Sequence, residues 1–135
     1  MRAVLQSIFI TYSAAIFFTT LIFRRTAAAP KAEWTPFWSW YEVMVNHNRS
    51  LFMEIVLNLL LFIPVGFCLS ILYQIRPKAA FLVGRIWSAA IETLQLVTCR
   101  GLFEWDDMLH NGLGCMVGAV IGSVVLRLLE LRRGK

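Results

Sequence analysis

The sequence predicts an all-α protein, a four-helix transmembrane bundle, on three observations. Of 135 residues, 59% are hydrophobic and only 16% are charged, against roughly 45–50% and 25% in soluble domains. Mean hydropathy is +0.67. The charged residues lie between four apolar runs, each near the 20 or so residues that a helix needs to cross a bilayer. The apolar excess is therefore divided among spans, which excludes one oversized soluble core. The net charge of +5 fits Lys and Arg beside membrane spans, where they orient the chain and meet headgroups. No basic stripe interleaved with exposed aromatics marks a nucleic-acid surface, so the expected partner is the lipid bilayer and not nucleic acid.

The first expected span is residues 4–23, uncharged, with Arg2 before it and Arg24 and Arg25 after it. It is longer than the 7–15-residue apolar core of a signal peptide, so it reads as a retained helix. Gln6, Ser13 and Thr20 recur every seven residues along one side, a pattern suited to interhelical hydrogen bonds. Residues 24–50 form an expected interfacial loop, in which Trp34, Phe37, Trp38, Trp40 and Tyr41 make an aromatic belt, or alternatively a lid or substrate platform.

Residues 51–73 form the second span, with Glu54 and Asn58 one turn apart on one face. Pro64 leaves the carbonyl of Leu60 without its helical donor and should bend the helix. The third span, residues 79–98, carries Arg85, Ser88, Glu92 and Gln95 on one stripe that leads to Cys99. The fourth, residues 108–129, carries Gly114, Gly118 and Gly122 at intervals of four. Small residues at that spacing let helix backbones approach closely, against another helix of the chain or in a homodimer.

Adjacent spans run antiparallel, so six polar groups converge on one membrane face. These are Glu54 and Asn58, Glu92 and Gln95, and Asp107 and Asn111, with Arg100 at the rim. Both termini and the turn around residues 74–78 share the opposite side. Seven Lys and Arg lie there against five on the acidic side. That bias favours cytoplasmic termini and an outward acidic face.

Ionisable groups within spans are costly and should face one another or water. Interhelical glue is the plain reading; three carboxylates beside one Arg suggest a site that binds or transfers something. Arg100 offers the planar fork suited to phosphate or carboxylate. Glu92 and Asp107 are the candidate proton donor or acceptor groups. Asp106 and Asp107 together suit a salt bridge to Arg100 or a divalent cation, but two adjacent acids are weak metal evidence, so no metal or cofactor is expected. Cys68, Cys99 and Cys115 have no metal-ligand spacing and read as packing residues. His47 and His110 stand singly, and His110 is expected at the interface.

Four motifs in order carry a family resemblance. They are Asn58 with Pro64 and Gly66, Glu92 with Gln95, Arg100 with Phe103, Glu104, Trp105, Asp106 and Asp107, and Asn111 with Gly114 and Gly118. From Asn58 to about Gly122 the chain resembles the VanZ-like family of small multi-pass membrane proteins, whose namesake is associated with resistance to the glycopeptide teicoplanin. The resemblance implies a bacterial cytoplasmic-membrane protein near cell-envelope chemistry. Cys99 stands where a Gly often precedes the Arg, and Gly112 where a Thr often follows the Asn.

The leading functional expectation is an outward polar pocket for an anionic envelope component, such as a lipid-linked phosphate. Arg100 would hold the anion, Glu92 and Asp107 would position or protonate it, and Asn58, Gln95 and Asn111 would fix the carboxylates. The alternatives are an intramembrane enzyme for phosphoryl or acyl transfer and a structural module that dimerises through the glycine ladder.

Overall fold

The computed structural model describes residues 2–22, 24 and 26–133. Phe23, Arg25 and Lys135, used in the sequence reading, lie outside these. Four helices are long and apolar enough to cross a membrane: α1 (Arg2–Ile22), α3 (Arg49–Tyr73), α4 (Pro77–Val97) and α5 (Trp105–Arg133). A short helix, α2 (Trp38–Val45), and two paired strands, β1 (Ala32–Glu33) and β2 (Phe103–Glu104), complete the fold.

The helix ends follow from local chemistry. Asn48 opens α3 by accepting a hydrogen bond from the Leu51 N–H at 3.2 Å. Gln74 closes α3 in the left-handed conformation, φ 53°. Pro77 opens α4, where its missing N–H costs nothing. Asp106 and Asp107 fall in the first turn of α5, where the helix dipole favours negative charge. The fourth helix therefore begins at Trp105, three residues before the expected span, and its first turn carries the acid pair.

Exposure is inverted relative to a soluble bundle. Ile86 and Val97 are 70% and 73% exposed while Ser88, Glu92, Gln95 and Asn111 are buried, an arrangement that suits lipid outside and polar groups inside.

The helix α5 is the hub, packed along α3 and then α4. Gly114 and Gly118 are why it can be. A Cβ at Gly114 would fall on the Leu59 carbonyl and one at Gly118 on the Ile63 carbonyl, while Gly66 of α3 answers by facing the Cys115 carbonyl. Gly122 continues the seam, where a Cβ would lie 2.8 Å from the Ser70 side chain. The ladder is thus occupied by α3 of the same chain, which removes it as the surface for a homodimer.

By contrast α1 is peripheral, and Ile16 is its one buried residue among those described. It is tied by Tyr12, whose hydroxyl donates to the Leu61 carbonyl at 2.9 Å, one residue past the carbonyl freed by Pro64. At the opposite end the Arg2 guanidinium donates to the Leu72 carbonyl at 3.2 Å. The expected interhelical role of the Gln6, Ser13 and Thr20 hydroxyls and amide is not found at Thr20. Its hydroxyl returns to the Ile16 carbonyl of its own helix at 2.8 Å.

The segment of residues 26–50 carries more regular structure than an aromatic belt requires. Its first part runs beside the α4–α5 connection: the Ala27 N–H donates to the Cys99 carbonyl at 2.7 Å, and β1 pairs in parallel with β2, Ala32 beside Phe103 and Glu33 beside Glu104. Trp34 stacks on Phe103 with ring centroids 4.4 Å apart. Cys99 has φ 53°, a conformation that glycine adopts without strain, which explains why Gly suits that position. Gly112 is likewise fitted to its neighbours, since a Cβ there would lie 2.6 Å from Cγ of Arg85 and 3.0 Å from the Phe81 ring.

Candidate functional site

The end of the bundle nearest β2 gathers the acidic residues. Glu92 reaches it from the last turns of α4, Glu104 from β2, and Asp106 and Asp107 from the first turn of α5. All four are buried, at 3%, 8%, 4% and 7% exposure, so each must find partners or a neutral form. Among the described residues no Arg or Lys lies within 4 Å of any of them; His110 is the one basic group so close, its Nδ1 3.9 Å from Oδ1 of Asp107.

The chain turns sharply to make this possible. Gly101 has φ 89°, and the Arg100 N–H donates back to the Gln95 carbonyl at 2.8 Å. That turn aims the Glu104 N–H at Oε2 of Glu92, 2.9 Å away. Burial first, then the neighbouring Asp107 and Glu54 charges, push the Glu104 carboxyl up to about 8, with Arg24 opposing. Near pH 7 Glu104 is therefore mostly a neutral acid, able to donate a hydrogen bond.

The sign of its pH effect follows. A carboxyl with a higher pKa folded than unfolded holds a proton that the unfolded chain has lost between the two values, so stability falls as pH rises through about 4.5 to about 8 and is flat in this group above that. Glu104→Gln is expected to reduce this slope. Melting temperature in detergent, scanned from acid to alkaline pH, should fall less steeply in the variant; superimposable wild-type and variant profiles would contradict the assignment.

The remaining expected residues divide. Gln95 Nε2 donates to the Thr20 carbonyl at 2.9 Å, and Asn111 Nδ2 donates to Ser88 Oγ at 2.8 Å. Their amide oxygens, Gln95 Oε1 and Asn111 Oδ1, are buried without a protein hydrogen bond. Neither amide is bonded to a carboxylate, contrary to the expectation that they fix Glu92 and Asp107. Asn58 is half-buried and Glu54 exposed; Glu54 bears on the site through its charge near Glu104.

Two expected ligand groups have structural work. Arg100 directs Nη1 at the Leu21 and Ile22 carbonyls, 3.3 and 3.5 Å away, and so satisfies the end of α1. Asp106 accepts from the Phe37 N–H at 2.7 Å, the Ser39 N–H at 2.9 Å and the Ser39 hydroxyl at 2.6 Å. It is the capping group of α2, supplied from another helix. No grouping of three or more His, Cys, Asp or Glu among the described residues has metal-holding geometry.

His110 corrects the expectation of an interfacial residue. It is 1% exposed because α2 folds over it, and Trp40 donates its indole N–H to His110 Nε2 at 3.0 Å. With Nε2 accepting, the proton of the neutral ring sits on Nδ1, which faces Asp107 and has no protein acceptor within hydrogen-bonding distance. Sequence reasoning named Trp40 as part of a belt or lid but not as the partner of His110, and it missed Ser39, which nothing in the spacing distinguishes from its neighbours. Arg24, whose side chain lies against Gly101, was read as a flank of the first span and one of the cations on the acidic side, and not as a site residue.

The arrangement is a buried acid and imidazole cluster on one face of the bundle, roofed by α2 and the strand pair, with Arg24 close enough to act on Glu92 and Glu104 and Arg100 at the end of α1. It can hold protons, donate hydrogen bonds through Glu104, and present cationic groups at its edge. No curated protein and no solved structure is significantly similar to the chain. The VanZ/LLP1 family model matches residues 8–127, which take in α3 and α4 and most of α1 and α5, and the chain belongs to that family.

Proposed function

We propose that this VanZ/LLP1 membrane protein resides in the bacterial cytoplasmic membrane and binds an anionic, phosphate-bearing component of the cell envelope at its acidic face. The observation that carries the reading is the burial of Glu92, Glu104 and Asp107 together with no Arg or Lys among the described residues within 4 Å. A neutral Glu104 makes such a cluster a hydrogen-bond donor toward phosphate oxygens, and Arg24, near enough to influence both Glu92 and Glu104, supplies the charge. Glu92, bonded to the Glu104 backbone, positions the strand that carries that donor. Asp107 stands between this group and His110. The Lys and Arg distribution supports an outward face, and the family resemblance supports a link to glycopeptide susceptibility.

The test is a strain in which deleting the gene alters teicoplanin or other envelope-antibiotic susceptibility. Arg24→Gln, Glu104→Ala and Asp107→Asn, each expressed at wild-type level, are expected to reproduce the deletion. If all three leave susceptibility at the wild-type value, the reading is wrong. Turnover of a lipid-linked phosphate by purified protein, lost in Glu92→Gln, would replace binding with group-transfer chemistry.

A further inference from the structure

A second feature lies beside the acidic face, between α1 and α4. Ser13, Phe17, Leu21 and Ile22 on one side and Trp87 on the other line an open groove of about 460 Å³, within the range of ligand-sized sites. Its walls are apolar apart from the Ser13 hydroxyl, which has no protein hydrogen-bond partner. Phe18 and Ile22 are 59% and 46% exposed, so the groove opens sideways, toward lipid in a bilayer.

Its depth and its ends narrow the occupant. Ser13 is near the middle of α1 and Ile22 is its last residue. At about 1.5 Å per residue the groove runs about 14 Å along the helix, close to the roughly 15 Å of hydrocarbon in one leaflet. At the Ile22 end stands the Arg100 guanidinium, whose hydrogen bonds among the described residues run from Nη1 to the Leu21 and Ile22 carbonyls. A planar fork carries donors on all three nitrogens. Arg24 lies two residues beyond, and among the described residues no carboxylate is within 4 Å of either arginine. A one-leaflet apolar slot that ends at two cations matches a molecule with an acyl chain and an anionic headgroup. A free anion would leave the slot unused, and a polyprenyl chain is much longer than one leaflet.

We propose that the α1–α4 groove binds an anionic phospholipid of the leaflet on the acidic side, with one acyl chain between Phe17 and Trp87 and its phosphate at Arg24 and Arg100. This rests on the reading above for the presence of an anion at this face, and it names the ligand as a lipid.

The experiment offers the full-length purified protein equal amounts of phosphatidylglycerol and phosphatidylcholine in detergent and counts retained lipid by native mass spectrometry. Wild type is expected to retain phosphatidylglycerol about five-fold or more over phosphatidylcholine, the preference worth about one cation near a lipid surface. Arg24→Gln should keep lipid but lose most of that preference. Ala14→Trp fills the groove from an exposed position and should lose both lipids while its melting temperature stays near wild type; Ala14→Phe serves if the larger ring impairs folding. Headgroup preference that persists undiminished in the filled-groove variant overturns the groove and leaves the proposed function standing. Equal retention of both lipids by wild type overturns the anionic headgroup, and displacement of phosphatidylglycerol by an equal amount of polyprenyl phosphate overturns the choice of phospholipid. The proposed function fails separately, by unchanged susceptibility in the acidic-face variants.

Discussion

Gly118→Leu is expected to prevent assembly of the bundle, at a cost of more than about 4 kcal/mol. A Cβ at this position would fall on the Ile63 carbonyl and lie 2.8 Å from the Phe67 nitrogen, so the first added atom already meets backbone. A side chain could rotate away; a helix backbone has to translate. Separating α3 from α5 at Gly118 also lifts Gly114 from Leu59 and Gly66 from Cys115, because the three contacts alternate along one seam. Lipid tails are as apolar as the side chains, so helix association in a membrane depends on that close packing. The cost should therefore exceed the 1–3 kcal/mol of ordinary overpacking. Gly122→Ala is the graded control, because its nearest neighbour is the Ser70 side chain at 2.8 Å. It should be folded and mildly destabilised. Thermal melting and size-exclusion profiles in detergent distinguish the two; a Gly118→Leu protein that melts like wild type would mean that the seam is not what holds α3 and α5 together.

That seam was legible in the sequence because helical periodicity converts spacing into a face. Gly114, Gly118 and Gly122 had to share one side of the fourth helix, just as Ser88, Glu92 and Gln95 had to share one side of the third. What periodicity cannot convey is which partner covers a face, so the glycine ladder was equally compatible with α3 and with a second copy. The same limit applies to the acidic end. Convergence of Glu92, Gln95, Asp107 and Asn111 followed from antiparallel spans, and all four are buried together. Arg100 and Asp106 were legible as site residues by type alone, and the structure gives both to helix ends. Capping across 67 to 79 residues of chain leaves no local spacing to read. His110 was misplaced for a related reason: its surroundings are set by Trp40, 70 residues away, on a helix that the aromatic and proline content of residues 24–50 did not suggest.

That same helix, α2, should detach when Asp106 is replaced by Ala. It has eight residues, too few to persist alone in water, and it buries only Ser39. Phe37, at its N-cap, has φ 61° and no side-chain cap of its own. The Asp106 carboxylate takes its place, accepting from two backbone N–H groups and the Ser39 hydroxyl at 2.6–2.9 Å. Bonds to an ionised acceptor are individually stronger than neutral ones, and removing a cap costs about 1 kcal/mol or more by itself. Losing all three should weaken closure of α2 by about 2–4 kcal/mol. Trp40 would then leave His110 Nε2, and the roof over Glu104 would open. Because α3, α4 and α5 do not use this contact for their packing, the bundle should stay folded. Hydrogen exchange should accelerate by one to three orders of magnitude across residues 37–45 while α5 beyond its first turns keeps its protection. Asp106→Asn, which leaves one acceptor oxygen, should fall between Ala and wild type. Unchanged exchange in the Ala variant would show that Trp40 and the β1–β2 pair suffice to hold the roof. The graded outcome would assign Asp106 the control of access to His110 and Glu104.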